Sequence, residues 1–161
     1  MGVSGAGKSL IGADFARELG VPFADGDTYH SAENVSRMSA GIPLTDEDRA
    51  EWLRALASRI AEARKAGTGL VVACSALKRS YRDTLRAAAP HLQFVFLEAP
   101  RTLIAKRLAN RRGHYMPASL LDSQFAALEE PSPDEYAWIC DASLPPDEIL
   151  SDLLSRASNE R

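Results

Sequence analysis

An α/β fold with a parallel β-sheet is the architecture that this 161-residue sequence predicts. Three observations support this prediction. Short apolar runs typical of buried strands alternate with longer segments in which apolar residues recur at helical spacing. Glycine or proline stands at most of the junctions, as expected at helix ends. The chain also opens on a glycine-rich motif of the kind that joins a strand to a helix.

Cap residues set the element boundaries in the first half of the chain. Gly20 is a typical residue to end the first helix. Ser31 and Thr45 are suitable N-caps for the next two helices, and Gly67 follows the second of these. The elements predicted in this half are a helix over 10–19, a strand over 21–25, and helices over 31–40 and 45–66.

The second half repeats the alternation of strand and helix. The run 70–74 is continuously apolar, which is typical of a strand covered on both faces. Pro90 ends one helix, while Pro100 begins another that Gly113 ends. Strands are predicted over 70–74, 92–97 and 136–140, with helices over 79–89, 100–113, 117–128 and 146–157. Right-handed crossovers should make the sheet parallel.

Composition predicts a single domain over 1–161. Apolar residues make up 45% and the net charge is −3, so the chain should bury a core, with no electrostatic reason to bind nucleic acid. No apolar run approaches the roughly 20 residues that span a bilayer, and no secretion leader is present. Cys74 and Cys140 lie in apolar runs and are expected to be small buried residues in a reducing cytoplasm.

The glycine-rich motif predicts a phosphate-binding loop. Its backbone N–H groups and the start of the next helix would hold a triphosphate. Lys8 would reach the β- and γ-phosphates, and the Ser9 hydroxyl would bind Mg²⁺. The motif G-x-x-x-x-G-K-[ST] is matched by Gly2, Val3, Ser4, Gly5, Ala6, Gly7, Lys8 and Ser9.

A strand normally precedes such a loop, but here only Met1 does. Either the natural start lies further upstream, or the protein lacks a central strand. We therefore expect a gap at the centre of the sheet.

Polar clusters follow three of the strands, where open α/β sheets bind their ligands. In the first cluster, Asp25 and Asp27 flank one glycine, so one carboxylate could bind Mg²⁺ through water while the other accepts a hydroxyl proton. In the second, Lys78 and Arg82 are four residues apart and could clamp an anion. The third contains arginines that suit a lid over a phosphoryl group, namely Arg107, Arg111 and Arg112.

At these motifs the chain resembles the bacterial gluconokinases of the small phosphate-loop type, which are related to shikimate and adenylate kinases. The ordered set of matches is very specific and extends from residue 2 to about residue 148. The matches are G-V-S-G-A-G-K-S at 2–9, D-G-D-x-x-H at 25–30, the segment 38–49, C-S-A-L-K-R-x-Y-R-D at 74–83, R-G-H-Y-M-P at 112–117 and the segment 123–131.

The resemblance implies a three-layer P-loop NTPase fold of the adenylate and shikimate kinase type, with a helical lid over about 107–131. It implies that ATP, with Mg²⁺, phosphorylates the 6-hydroxyl of D-gluconate, and it suggests a homodimer. Members of this family carry a hydrophobic strand before the first glycine, and this chain departs from them there.

Residue roles follow from the same resemblance. Lys8 and Ser9 take the phosphates and Mg²⁺, with Asp25 beside the metal. Asp27 is the base and also contacts the substrate, with Asp25 as the alternative base. Arg107 with Arg111 closes over the phosphates. The cations that bind the sugar acid are His30, Arg49, Lys78 and Arg82. Which of them contacts the carboxylate stays open.

Two classes of alternative compete with this function: another small kinase, and a non-catalytic relic that still binds nucleotide. A shikimate kinase would share the paired acids, but it would carry a glycine triplet where this chain has Cys-Ser-Ala-Leu-Lys at 74–78. An adenylate kinase would need an AMP pocket, which D-G-D-x-x-H does not resemble. A non-catalytic nucleotide-binding relic is suggested by the missing strand. Retention of Lys8, both acids and the lid arginines argues against a relic.

Overall fold

The computed structural model, which describes residues 1–110 and 120–159, alternates short strands with helices in the predicted order. The strands are β1 (Phe23–Asp25), β2 (Val71–Ala73), β3 (Val95–Glu98) and β4 (Trp138–Asp141). The helices are α1 (Lys8–Leu19), α2 (Ala32–Ser39), α3 (Asp46–Ala66), α4 (Arg79–Ala88), α5 (Arg101–Ala109), α6 (Leu121–Ala127) and α7 (Pro146–Asn159). Short 3₁₀ turns lie at Gly26–Tyr29 and Pro133–Glu135.

The strands pair in parallel, as predicted, but as two separate pairs. β1 pairs with β2 and β3 pairs with β4, and no ladder joins β2 to β3 within the described residues. In register, Asp25 stands opposite Ala73 and Glu98 opposite Asp141. The carboxyl ends of the paired strands therefore meet at one edge, where the phosphate loop also lies.

The expected gap separates the two pairs of strands. Met1 stands at its end, where its backbone bonds to β3: its nitrogen donates to the Val95 carbonyl, and its carbonyl accepts from the Leu97 N–H at 3.0 Å. On the other side, the Gly2 N–H donates to the Ser75 carbonyl at 3.1 Å. Beyond Met1, a cavity of about 610 Å³ extends between β2 and β3. Its lining is mainly apolar and comes from residues on both faces of the sheet.

Helices cover the two faces of the strands. On one face, α1, α5 and α7 enclose a core that includes Ile104 and Leu153. On the other, α3 and α4 pack around Trp52, Leu56 and Leu85, all at most 2% exposed. Burying each such side chain stabilises the fold by about 1.5–3 kcal/mol.

The predicted caps are present at both ends of the longest helix in the described residues. Thr45 and Asp48 form a reciprocal capping box at the start of α3, with the Asp48 side chain accepting from the Thr45 N–H at 2.8 Å. Gly67 ends α3 in the left-handed conformation, with φ of 66°.

Two predicted helices are shorter in the described residues. α5 ends at Ala109 with Asn110 as its C-cap, and α6 begins at Leu121 with Leu120 as its N-cap. The predicted helical positions 111–113 and 117–119 lie outside the described residues. Cys74 and Cys140 are free and buried, as predicted. None of the helices described is both long and apolar enough to cross a bilayer.

Candidate active site

The phosphate loop turns sharply at its glycines and leads directly into α1. Gly2, Gly5 and Gly7 have φ of 131°, 86° and 99°, values that side chains disfavour. Gly7 is the N-cap of α1 and carries no side chain that could cap the helix. The helix start and its dipole are thus directed at the mouth of the loop, which suits a phosphate group.

Lys8 and Ser9 lie at the first turn of α1. The Lys8 Nζ donates to the Val3 carbonyl of the same loop at 3.0 Å. The Ser9 hydroxyl donates to Asp25 Oδ2 at 2.7 Å. The sequence prediction that Ser9 and Asp25 serve one metal thus corresponds to a direct contact between their side chains.

The two acids after β1 are held in a tight 3₁₀ turn. The Asp27 N–H donates to Asp25 Oδ1 at 3.0 Å, so both carboxylate oxygens of Asp25 are bonded. Gly26 presses against β2 so closely that a Cβ there would lie 2.6 Å from the Ala73 carbonyl oxygen. The indole N–H of Trp52 also donates to the Gly26 carbonyl at 2.7 Å. The spacing of one glycine between the acids is therefore a steric requirement of this turn.

A cavity of about 470 Å³ joins the loop to the acids. Arg107 reaches it from α5, and its guanidinium is anchored by the Ala142 carbonyl at 2.7 Å. Arg111 and Arg112, which the sequence places in the lid, lie outside the described residues. The cavity is lined by Ser4, Gly5, Gly7, Lys8, Ser9, Leu10, Asp25, Asp27, Arg107 and Asn110.

His30 extends the site away from the phosphate loop. Its ring stacks on Trp52 with the ring centroids 4.7 Å apart. Burial lowers the pKa of His30 below its usual 6.5, and the nearby Arg49 lowers it further while Asp27 raises it. His30 thus lies within electrostatic range of both Asp27 and Arg49.

Lys78 lies in a charged cluster beside Arg49, hereafter the Lys78 cluster (Arg49, Lys78, Tyr81 and Asp46). Lys78 Nζ donates to both carboxylate oxygens of Asp46 at 2.8 Å, and the Tyr81 hydroxyl bonds to the same carboxylate. Both cations lie over the Tyr81 ring, with Lys78 Nζ 5.7 Å and Arg49 Cζ 6.0 Å from its centroid. The hydrogen bonds from Lys78 and Tyr81 lower the pKa of Asp46, and the bond to Asp46 raises the pKa of Lys78.

Arg82 does not accompany Lys78, and here the structure departs from the sequence prediction. Its side chain is 1% exposed and makes a bidentate ion pair with Glu135, at 2.6 and 2.7 Å. The remaining nitrogen donates to the carbonyls of Ala76, Leu77 and Glu129. We call this group the Arg82 joint. A guanidinium so enclosed is placed to hold the chain together, not to contact a ligand in the cleft.

Sequence reasoning missed Asp46, Glu135 and Gln124. Asp46 is the first residue of α3, and it is the counter-ion of Lys78 only because the start of α4 lies beside it in the fold. Glu135 lies 53 residues from Arg82, and no local pattern connects them. Gln124 was noted only within a motif, yet its side chain accepts a hydrogen bond from the phosphate loop.

Comparisons with known proteins agree with this geometry. The family described as Shikimate kinase matches residues 4–157. The chain is 46% identical to the gluconokinase of Gluconobacter oxydans (strain 621H) over 154 residues, covering 96% of this chain and 86% of that protein. It is 49% identical to the thermosensitive gluconokinase of Escherichia coli (strain K12) over 136 residues, covering 84% and 72%.

A solved structure supports the same relationship. The crystal structure of a gluconokinase from Sinorhizobium meliloti 1021 superimposes with a TM-score of 0.85 at 44% identity, covering 99% of this chain and 94% of that one. Three findings therefore indicate the same family: the α/β fold, the phosphate loop, and relatives that are well above 30% identical. The chain belongs to the gluconokinase family, within the wider group of ATP-dependent phosphate-loop kinases related to shikimate kinase.

Proposed function

We propose that this protein transfers the γ-phosphoryl group of ATP to the 6-hydroxyl of D-gluconate, giving 6-phospho-D-gluconate and ADP. The observation that carries the proposal is the placement of Asp27. It lines the same cavity as Lys8 and Ser9, and it acts electrostatically on His30, which Arg49 also influences. These relations support a site that extends from the phosphate loop through His30 towards the Lys78 cluster. The names of the relatives supply the substrate.

The residues present fit ATP and Mg²⁺. Mg²⁺ in kinases uses one or two protein oxygens together with phosphate oxygens and water, so no dense cluster of acids is needed. In the described residues no group of three or more metal-binding side chains occurs. Ser9 and Asp25 would hold the ion, which supplies charge neutralisation to the phosphates when bound. Lys8 would leave the Val3 carbonyl to contact the β- and γ-phosphates.

Asp27 is the proposed base, and Asp25, which accepts from the Ser9 hydroxyl, is assigned to the metal. The substrate hydroxyl gives its proton to Asp27 as its oxygen bonds to the γ-phosphorus, and the bond from that phosphorus to the ADP oxygen breaks. Arg107 stabilises the charge that develops on the transferred group. Its anchor on the Ala142 carbonyl keeps it directed at the loop. Arg111 is proposed to act with it.

The Lys78 cluster is the proposed site for the acid end of the substrate, with His30 and Arg49 along the polyhydroxy chain. Asp46 neutralises Lys78 in this structure, so a substrate carboxylate would replace or share that contact. The proposal does not include Arg82 as a ligand, because its donors are all directed at Glu135 and at carbonyls of the joint. A cytoplasmic homodimer is also proposed, and light scattering during gel filtration would measure its mass.

The test is a coupled assay for ADP with gluconate and ATP, on variants of three residues. Lys8→Ala should reduce kcat at least tenfold, a loss of about 1.4 kcal/mol or more in transition-state stabilisation. Asp27→Asn should reduce kcat by roughly 10²–10⁴ with the KM for ATP little changed. Asp25→Asn should instead raise the Mg²⁺ concentration that the enzyme requires.

Asp14→Asn, on the outer part of α1, is the matched control and should retain full activity. If Asp25→Asn lost kcat as Asp27→Asn is expected to, and Asp27→Asn did not, the assignment of the base would be reversed.

A further inference from the structure

A buried hydrogen bond ties helix α6 to the phosphate loop. The Ser4 N–H donates to the side-chain oxygen of Gln124 at 2.7 Å, across 120 residues of sequence. Ser4 is 8% exposed and Gln124 is 9% exposed. A backbone N–H so enclosed is costly to leave without an acceptor, so the bond constrains the loop.

The peptide unit that contains this N–H also contains the carbonyl that holds Lys8. A trans peptide is planar, with its C=O and N–H on opposite sides, so the Val3 carbonyl and the Ser4 N–H turn together. The Val3 carbonyl accepts from Lys8 Nζ at 3.0 Å and from the Ala6 N–H at 3.3 Å. The hydrogen bond from the Ser4 N–H to Gln124 therefore also fixes the direction of the Val3 carbonyl on the other side of the peptide plane.

The surroundings leave Gln124 well placed for this contact. α6 is held by its apolar side chains, since Leu121 and Phe125 pack into the core cluster that contains Val3 and Ala6. Gln124 is a polar side chain buried on the same short helix. The Ser4 N–H in turn needs this acceptor. Val3 and Ala6 are only 3% and 2% exposed, so water could not readily replace the Gln124 oxygen if it were removed.

We propose that Gln124 is a positioning residue for ATP: it fixes the plane of the Val3–Ser4 peptide and, through it, the shape of the phosphate loop and the resting place of Lys8. The inference rests on the proposed function for its assay, though ATP binding can be measured without any second substrate. The residue acts through the loop and contacts no reacting atom.

The proposal predicts a selective effect on the nucleotide. Gln124→Leu has a similar size but no acceptor, and it should weaken ATP binding roughly tenfold, as for one buried hydrogen bond. The KM for gluconate should stay within about twofold of the wild type. Gln124→Glu keeps an oxygen at the same reach and should recover part of the ATP affinity. Ser123→Ala is the matched control on the same helix, because the Ser123 hydroxyl donates to the Leu120 carbonyl at 2.8 Å and not to the phosphate loop.

The experiment measures the Kd for ATP by calorimetry, both KM values, and the melting temperature of each variant. Should Gln124→Leu fail to fold, Gln124→Asn, whose amide is one methylene too short, is expected to give the same selective loss. Equal loss for ATP and gluconate, or a Gln124→Glu variant no better than Gln124→Leu, would overturn the proposal. If wild-type protein binds ATP but leaves gluconate unchanged, the proposed function fails, and the calorimetric test of Gln124 still stands.

Discussion

Lys78 and Arg82 are cations four residues apart at the start of α4, and they differ in burial and in the partners that they contact. The side chain of Lys78 is 30% exposed and pairs with Asp46, which is 56% exposed, at the edge of the cleft. Arg82 and its partner Glu135 are each 1% exposed. One pair is accessible to a ligand, and the other is part of the packing.

This difference shows the limit of the rule that residues four apart lie on the same face of a helix. Residues four apart share a helix face only if both are helical. Lys78 is the N-cap of α4, with extended backbone angles of φ −95° and ψ 148°, so its side chain leaves the helix surface. Arg82 lies inside α4 and faces inward beside Tyr81 and Leu85.

The largest expected effect is on the Arg82 joint. Arg82→Ala removes the bidentate partner of the buried Glu135 carboxylate and leaves only the longer contact of 3.7 Å to Arg86 as an ion pair within the described residues, so it should destabilise the protein by about 3–5 kcal/mol. The measurement is denaturant unfolding. Thr84→Ala is the matched control on the same helix and should cost much less, because the exposed Thr84 hydroxyl donates to the Ser80 carbonyl and not to Glu135. A loss below about 1 kcal/mol for Arg82→Ala would mean that the joint does not stabilise the fold.

Acid should weaken the same joint. The bond from Arg82 is the main reason that the pKa of Glu135 falls to about 2 from its usual 4.5. A depressed carboxyl pKa contributes stability that is complete above pH 4.5 and is lost as the pH falls towards 2. The difference in unfolding free energy between wild type and Glu135→Gln should therefore shrink between about pH 5 and pH 2. A difference that stays constant over that range contradicts the ion pair.

A substitution in the Lys78 cluster should weaken gluconate binding and leave the stability of the fold unchanged. Lys78→Ala removes one charge-assisted hydrogen bond and should raise the KM for gluconate about tenfold or more, with the KM for ATP and the melting temperature little changed. Arg79→Ala, one residue along and paired with Asp134 on the surface, is the control. Equal effects on both substrates would place Lys78 in the nucleotide site or in the packing.

The smallest expected effect comes from Asp46→Asn. The variant keeps the shape of the side chain but releases the charge of Lys78, so it should lower the KM for gluconate by about twofold to fivefold, in keeping with the modest strength of exposed ion pairs. The KM for ATP should not change. A rise in the KM for gluconate would instead indicate that Asp46 binds substrate hydroxyls.

Local patterns predicted most of the fold. The capping residues and terminal glycines gave the ends of α1 and α3 closely, because caps are short-range contacts. We also expected a gap in the sheet, because a strand normally precedes a phosphate loop. The sequence could not tell that the gap would separate the strands into two pairs around a cavity.

The site was predicted where its residues follow one strand and missed where they meet across the chain. Ser9, Asp25 and Asp27 came from motifs whose members lie close together after folding. Asp46, Gln124 and Glu135 contact their partners through tertiary folding across 32 to 120 residues, for which a single sequence carries no signal. Arg82 was assigned to the substrate because the sequence shows its charge but does not show that the side chain is buried.

The most direct test of the central claim is to identify the product made by the purified protein. With ATP, Mg²⁺ and D-gluconate, phosphorus NMR should detect a phosphomonoester on carbon 6 of gluconate, formed in equal amount with ADP. Shikimate offered under the same conditions should give no comparable product. Release of ADP without phosphogluconate, or a preference for shikimate over gluconate, would contradict the account.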